Sequence, residues 1–582
     1  MSTTEYRAPV PVRTARRRLP PVRLDVKRIP PHVWGLAGLT LLAAGLRFAT
    51  IASQSYWADE ALTVHEVQMP FASMLSAVTH AETTPPLYFI LAWAWAHLFG
   101  TGEAALRSLS ALLGVIVIPL TYLCGRELVS RRAGLIAAAF AAVNPFLIWY
   151  SQEARAYMLV IVLTGASFLW FIRAERKPSR GNVVWWTIFS ALALATHFFS
   201  GFLVAPEAVW LLWRARSRLV LAACAVLAAV QLALAPLAVQ DTGHGLGWIH
   251  AIPRLTRISQ VPTEFAVMTI YRHVSISEGL WGGAIAIAVA VVLLALVGGR
   301  QERRGALIAA VIAVTAIAAP LLLGLIRAAD DVFLVRNVSP AWIPIAVALA
   351  AACAAPRARD LGTVVATMLV VMFAIAAIEI ASNPVFQRAD WRGVARAIGP
   401  SSEPRAILIT GGAEADALKV FVHGVAWNQP PITQRVTVDE IVVVGSVAHV
   451  RLRGPDHRKG RALPVRVARG AVSLGGKWVR NFYVARYELV RPWHFDAAQL
   501  SARAGRFFRH RAPKQLLVLV AGGVPRAGSV RIITPRLGRA QHARNRHRAR
   551  ARSRRGRAHH RQRPGRPARS AAPVSPGPAP IP

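Results

Sequence analysis

Apolar runs long enough to cross a lipid bilayer recur along the first 381 residues, and nothing constrains the fold of this chain more. They occupy about 34–52, 104–124, 133–149, 156–172, 182–196, 200–213, 219–238, 279–298, 306–326, 338–354 and 361–381, most of them about 17 to 21 residues long. A helix needs roughly 20 residues to cross the ~30 Å hydrocarbon layer. With 54% hydrophobic residues and a positive mean hydropathy, the composition excludes an ordinary soluble enzyme. The basic N-terminus (Arg13, Arg16, Arg17, Arg18, Arg23, Lys27, Arg28) leads straight into the first run, which reads as an uncleaved signal-anchor helix.

A further apolar run, LYFILAWAWAHLF at 87–99, has only thirteen residues and reads as a re-entrant or interfacial helix. The placement of arginine tests this. If 87–99 does not cross, loops 125–132, 173–180, 214–218, 299–304 and 355–360 share a side with the N-terminus, and every one is net basic. The opposite loops are 53–86, 150–155, 197–199, 239–278 and 327–337, and the first of them carries four acids and no Lys or Arg. Basic loops stay in the cytoplasm. The expected fold class is therefore an α-helical polytopic membrane protein of about 11–13 transmembrane helices, read best as eleven spans plus one half-buried helix, with the N-terminus inside.

Within the first outer loop, Phe71, Met74, Leu75 and Val78 form one apolar face of a helix opened by Pro70, an interfacial platform. Hydropathy falls after residue 381. DWRGVARAIG (390–399) reads as a helix, RAILIT (405–410) and EIVVVGSVAHV (440–450) read as strands, and QLLVLVAGG (515–523) is expected to end the domain. The expected organisation is a basic cytoplasmic segment 1–33, a membrane domain 34–381, a soluble α/β domain 382–535 on the outer side, and a disordered tail 536–582. The tail holds fourteen arginines and no acid between Arg536 and Arg569. Together with the short basic loops it accounts for much of the net charge of +41, so that charge is not read as a nucleic-acid footprint. Arginine greatly outnumbers lysine, as in a bacterium with a GC-rich genome. Cys124, Cys224 and Cys353 all lie in apolar runs without CxxC or CxxH spacing, which argues against a disulfide framework or a thiolate metal site.

The unusual polar residues gather on the outer side. Asp59 and Glu60 follow the first span; Tyr88 lies in TTPPLYF (83–89), where Pro85 and Pro86 set a rigid entry into the short helix. Glu153, Arg155 and Tyr157 lie in WYSQEARAY, His197 in THFFSG, and Arg336 beside Asp330 and Asp331 in RAADDVFLVRN. Carboxylates, a histidine and arginines on one membrane face suit sugar transfer from a lipid phosphate. A base must take the proton of the acceptor hydroxyl, and arginines can hold the departing phosphate through paired hydrogen bonds.

The segments WADEALT, ETTPPLYFILAWAWAHLF through WYSQEARAYML, THFF, VRNVSPAWIPIAVALAA and DWRGVARAI resemble the GT-C superfamily of membrane glycosyltransferases. The nearest branch is glycosyltransferase family 39, which groups protein O-mannosyltransferases with bacterial lipid A aminoarabinose transferases. The likeness is dense over about 34–215 and patchy to about 400. It implies inverting transfer from a polyprenyl-phosphate sugar to a lipid, polysaccharide or protein hydroxyl on the outer face of the cytoplasmic membrane. It also implies Asp59 as general base, Glu60 as an orienting or acceptor-binding partner, Glu153 as the second-loop acid, and Arg155 and Tyr157 as substrate contacts; His197, Arg336 and Tyr88 are further candidate substrate contacts. The family's His-Pro-Pro-Leu-Tyr pattern stands here as Thr84-Pro85-Pro86-Leu87-Tyr88. No cofactor is expected: some superfamily members place a divalent metal at these acids, but family 39 relatives generally do without one. A transporter or flippase would place its charges near the midplane between repeats, and an inactive envelope scaffold would not need the acids; both are the weaker readings.

Overall fold

The computed structural model of the chain describes residues 30–82, 84–241, 252–268, 294–326 and 331–400. In the C-terminal part it describes 405–409, 417–422, 436–446, 465–480, 482–495, 505–507, 515–519 and 531–533, with a few single positions between 249 and 292. Arg327, Asp330, most of 279–298 and the whole Arg-rich tail lie outside the described residues. The helices of the membrane part are α1 (Pro31–Phe48), α2 (Ala58–Val67), α3 (Phe71–Ala81), α4 (Leu87–Phe99), α5 (Glu103–Leu128), α6 (Arg131–Val143), α7 (Pro145–Ser151) and α8 (Tyr157–Arg176). They continue with α9 (Arg180–Leu194), α10 (Gly201–Ala215), α11 (Arg218–Asp241), α12 (Arg254–Val267), α13 (Arg300–Ile326), α14 (Trp342–Cys353) and α15 (Arg359–Ser382).

Six of these, counting α14 and α15 with the short turns before them, are long and apolar enough to cross a membrane, and the bent pair α6–α7 makes a seventh. The other expected spans fall on shorter helices: α1, α9 and α10 have 18, 15 and 15 residues. By length and apolarity the described residues thus supply six or seven of the expected spans, and most of 279–298 lies outside the described residues. The chain is a multi-pass membrane protein, and α4 is the short apolar helix that the sequence led us to expect. The platform helix α3 buries Met74 and Val78 against Tyr88 and Phe89 of α4 and leaves Phe71 exposed.

Two devices hold the bundle together. The first is the 57° bend between α6 and α7. Pro145 has no N–H to continue the ladder, and the Asn144 side chain starts α7 by accepting from Leu147 N at 3.1 Å. The carbonyls left free at the end of α6 are taken by fully buried Arg47 of α1, which donates to Ala141 O and Ala142 O at 3.0 Å each and to Ser151 Oγ at 3.1 Å. A cation at a helix C-terminus is also favoured by the helix dipole. The second is the glycine contact between α5 and α6: a Cβ on Gly134 would stand 2.6 Å from Tyr122 O, and one on Gly125 would stand 2.9 Å from Gly134 Cα. Close backbone approach through small residues is how helices associate in lipid.

The basic loops converge at one end of the bundle. Arg173 pairs with Glu127 and Arg304 with Glu175; Gln301 donates to Val129 O, and Arg132 to Arg359 O. The candidate site residues lie on the loops at the other end.

Beyond α15, helix α16 (Trp391–Ile398) and the four-residue α17 (Leu418–Phe421) accompany a six-stranded sheet in the order β3-β4-β2-β1-β5-β6. The strands are β1 (Arg405–Ile409), β2 (Val436–Ser446), β3 (Ala471–Val479), β4 (Phe482–Phe495), β5 (Gln515–Leu519) and β6 (Arg531–Ile533). Only β1 and β2 pair in parallel. Trp391, Val394 and Ile398 of α16 cover Ile407, Ile409, Val442 and Val444, while Ala406, Leu408 and Val443 pack on the other face with Tyr487 and Phe507. This unit docks on the exit of the first span: Ser55 Oγ donates to Ala389 O at 2.8 Å and accepts from Trp391 N at 3.0 Å, and Arg392 donates to Ala52 O at 3.0 Å. Replacing Gly134 with Val should force α5 from α6 and cost about 1–3 kcal/mol, read as a fall of several degrees in thermal midpoint in detergent. Gly38→Ala, where a Cβ meets nothing within 4 Å, should leave the midpoint unchanged.

Candidate active site

Helix α2 begins at the sequence ADEA, and its first turn carries both Asp59 and Glu60. Neighbouring residues on a helix point about 100° apart, so the two acids meet different surroundings. Glu60 turns inward and is fully buried. Its Oε1 accepts from Arg107 Nε at 2.7 Å and Ala154 N at 2.9 Å; its Oε2 accepts from Arg107 Nη2 at 2.6 Å and from Arg388 Nη1 and Trp57 N at 3.4 Å. Arg107, buried in α5, spends its remaining donors on Ile51 O, Gln54 O and Ser55 O. Burial works to raise the Glu60 carboxyl, but the Arg107 charge and hydrogen bonds outweigh it and hold the group below the usual carboxylate range.

Asp59 turns outward. Its side chain is 31% exposed and meets Arg336 Nη1 at 3.1 Å, with Arg336 itself 23% exposed. The Arg336 guanidinium lies 5.9 Å from the ring centres of both Trp57 and Tyr157. Its loop is fixed from behind by Asp331, which is buried and paired with Arg254 and Arg257 rather than solvated.

Glu153 sits between them in the turn from α7 to α8, 1% exposed. Arg388 Nη2 donates to its Oε2 at 2.5 Å, and its Oε1 has no partner among the described residues. Burial pushes this carboxyl up to about 7; Arg388 pulls it down, and Glu60 and Asp59 add to the rise. His197 is buried beside Tyr157, with ring centres 6.3 Å apart. Its Nδ1 accepts from Phe199 N at 3.2 Å, which places the ring proton on Nε2. Burial, then Arg336 and Arg155, drives it down to about 3, so it is a neutral hydrogen-bond donor near pH 7.

Asp59, Glu153, Tyr157, His197 and Arg336 thus come together at one site, with Glu60 beneath. Of the two roles expected for Glu60, the geometry agrees with orienting, since its oxygens are taken by Arg107, Ala154 N, Arg388 and Trp57 N. Two other expected contacts do not fit. Arg155 has both terminal nitrogens on Glu82, at 2.9 and 2.8 Å, which fixes the platform instead of leaving the cation open to substrate. Tyr88 is fully buried in the cluster of Tyr56, Met74 and Phe89, so it supports the platform from within. Glu66, also buried there, is pushed up to about 9 by burial and by Glu82 and is a neutral acid. Sequence reasoning missed Arg107 and Arg388. A signal for the first was available: Arg107 is the first Lys or Arg after Arg47 and lies inside an apolar helix, where a charge demands a partner. Among the described residues no three His, Cys, Asp or Glu side chains form a metal-ligating group.

Residues 83–240 match the family model described as dolichyl-phosphate-mannose-protein mannosyltransferase. That stretch contains TTPPLYF, WYSQEARAY and THFF, and it bears out the resemblance to GT-C membrane glycosyltransferases; Asp59 and Glu60 lie just ahead of it. No curated protein matches the chain. Among solved structures the chain is similar to ArnT from Cupriavidus metallidurans in the apo state, with 13% identity and a TM-score of 0.46 over 78% of this chain and 98% of that one. It is similar to the same protein bound to undecaprenyl phosphate, with 12% identity and a TM-score of 0.45 over the same shares. It is also similar to the S. cerevisiae Pmt1–Pmt2 complex bound to the sugar donor, with 18% identity and a TM-score of 0.30 over 38% of this chain and 34% of that one.

The two neighbouring acids should behave differently when neutralised. Glu60→Gln leaves a buried guanidinium short of its counter-charge and should cost about 3–5 kcal/mol, read as a large loss of folded protein in detergent. Asp59→Asn breaks a partly open pair worth about 0–1 kcal/mol and should unfold within a few degrees of the parent.

Proposed function

We propose that this chain is a membrane glycosyltransferase that moves a sugar from a polyprenyl-phosphate donor to a hydroxyl acceptor at the outer face of the cytoplasmic membrane. The observation that carries the reading is the partly open Asp59–Arg336 pair, set over a buried and charge-balanced floor of Glu60, Glu153, Arg107 and Arg388. An acceptor hydroxyl attacks the anomeric carbon from the face opposite the phosphate. Its proton passes to Asp59 as the new C–O bond forms, and the bond to the phosphate breaks with its electron pair on the phosphate oxygen. Arg336, a partly exposed cation beside Asp59, can take that charge, and an arginine keeps its own charge throughout. Arg336 rests on Asp59; a donor phosphate drawing it away leaves Asp59 free to act as base. His197 and Tyr157 supply neutral polar edges on the same side.

Family and motif support this chemistry together: the matched family model is named for a polyprenyl-phosphate mannose donor, while the sugar of this chain, hexose or pentose, is left to the assay. The basic loops gathered at the far end of the bundle support an orientation with those loops in the cytoplasm and the site outside. The soluble unit after residue 382 then lies outside as well.

Membranes containing the chain, given a panel of labelled polyprenyl-phosphate sugars, should consume one of them, and Asp59→Asn should lose at least a hundredfold of that transfer. A parent protein that is folded and consumes none overturns the reading. The rate should also fall as pH drops through about 7. Glu153 is raised to about 7, so below that pH it takes a proton and its charge no longer balances Arg388. Glu153→Gln should flatten that limb in a pH–rate profile.

A further inference from the structure

We propose that Arg388, delivered by the link between the last span and the outer sheet unit, is a positioning residue that holds Glu153 by one oxygen and so ties the protonation of the site to docking of the outer unit. This deepens the glycosyl-transfer reading and rests on it. Arg388 is 8% exposed. Its backbone N–H donates to Gln54 Oε1 at 2.9 Å, and its side chain reaches Glu153 Oε2, Glu60 Oε2 and Gln152 O. The guanidinium lies 4.5 Å from the ring centre of Trp149 and 5.8 Å from that of Trp57. A planar cation beside two indoles and bonded on three sides is an immobile charge.

Counting charges shows what that cation is for. Glu60 is already matched by Arg107, and Asp59 by Arg336. Three carboxylates face three guanidiniums, and Arg388 is the one left for Glu153. The groups around Glu153 are Arg388, Glu60, Asp59 and Arg336, with the phenols of Tyr88, Tyr150 and Tyr157. Of the two cations among them, only Arg388 bonds the Glu153 carboxylate directly. The latch that sets Arg388 in place is the pair of Ser55 hydrogen bonds to Ala389 O and Trp391 N, one and three residues on.

The test follows the proton on Glu153 by the infrared carboxyl band, assigned by subtraction of Glu153→Gln, so it does not depend on finding the donor. In Arg388→Gln the midpoint should rise by about one pH unit or more, a tenfold change in proton affinity, and Arg388→Lys should return most of the shift. Ser55→Ala weakens the latch without removing charge and should raise the midpoint in the same direction as Arg388→Gln but by less. Once the donor is known, the acid limb of transfer should move with the infrared midpoint. An unmoved midpoint in Arg388→Gln overturns the proposal, and an unmoved midpoint in Ser55→Ala overturns its link to docking. A parent that transfers no sugar while its Glu153 titration still shifts in Arg388→Gln defeats the glycosyl-transfer reading but leaves the positioning of Glu153 standing.

Discussion

The candidate site of this protein depends on the buried bond between Glu60 and Arg107. A guanidinium has five N–H donors, and here all five are spent: two on Glu60 and three on the carbonyls of Ile51, Gln54 and Ser55. Taking two ions out of water costs several kcal/mol each unless every lone pair and proton is matched, and this pair meets that condition. The result is geometric. The exit of the first span, the start of α2, the α7–α8 turn through Ala154 N, and α5 are drawn to one point. Asp59 and Glu153, far apart in sequence, are neighbours because of it.

On that floor the three acids differ by exposure rather than by kind. Glu60 is locked as an ion, Glu153 is buried with one oxygen idle, and Asp59 is held in the open by a single cation. Separating carboxylates by environment is how one site assigns different proton roles to like groups. The aromatic rings of Trp57, Trp149 and Tyr157 contribute to the same end by giving Arg388 and Arg336 flat surfaces to rest on.

Much of this was legible in the sequence, and the gaps have physical reasons. Hydropathy located the spans because lipid admits few alternatives to helix. Alternating basic loops indicated which ends share a side, and those loops do touch one another. Asp59, Glu153, His197, Tyr157 and Arg336 were found because polar residues at span ends are conspicuous. The resemblance gave Asp59 and Glu60 different roles, but the sequence did not show their different surroundings: adjacent letters share a motif yet point about 100° apart on a helix. Arg155 was misread for a related reason, since its partner Glu82 is remote in sequence. Arg107 and Arg388 were overlooked because one looks like part of a span and the other like a linker. In the sheet, β3 escaped notice because it is exposed along most of its length, so no buried–exposed alternation marks it, and β4 contains Pro492, which reads as a strand breaker.

The origin of Arg388 also bears on how the molecule is made. Ribosomes deliver chains from the N-terminus, so Glu153 enters the membrane surface more than two hundred residues before its cation exists. During that interval the carboxyl is best carried as a neutral acid, which costs little to bury. Ionisation of Glu153 then belongs to the last stage of assembly, when the link after α15 swings onto Ser55 and brings the guanidinium in. The counter-charge of Glu153 thus comes from the far end of the membrane part of the chain, and the Arg388–Glu153 bond forms only once both are made.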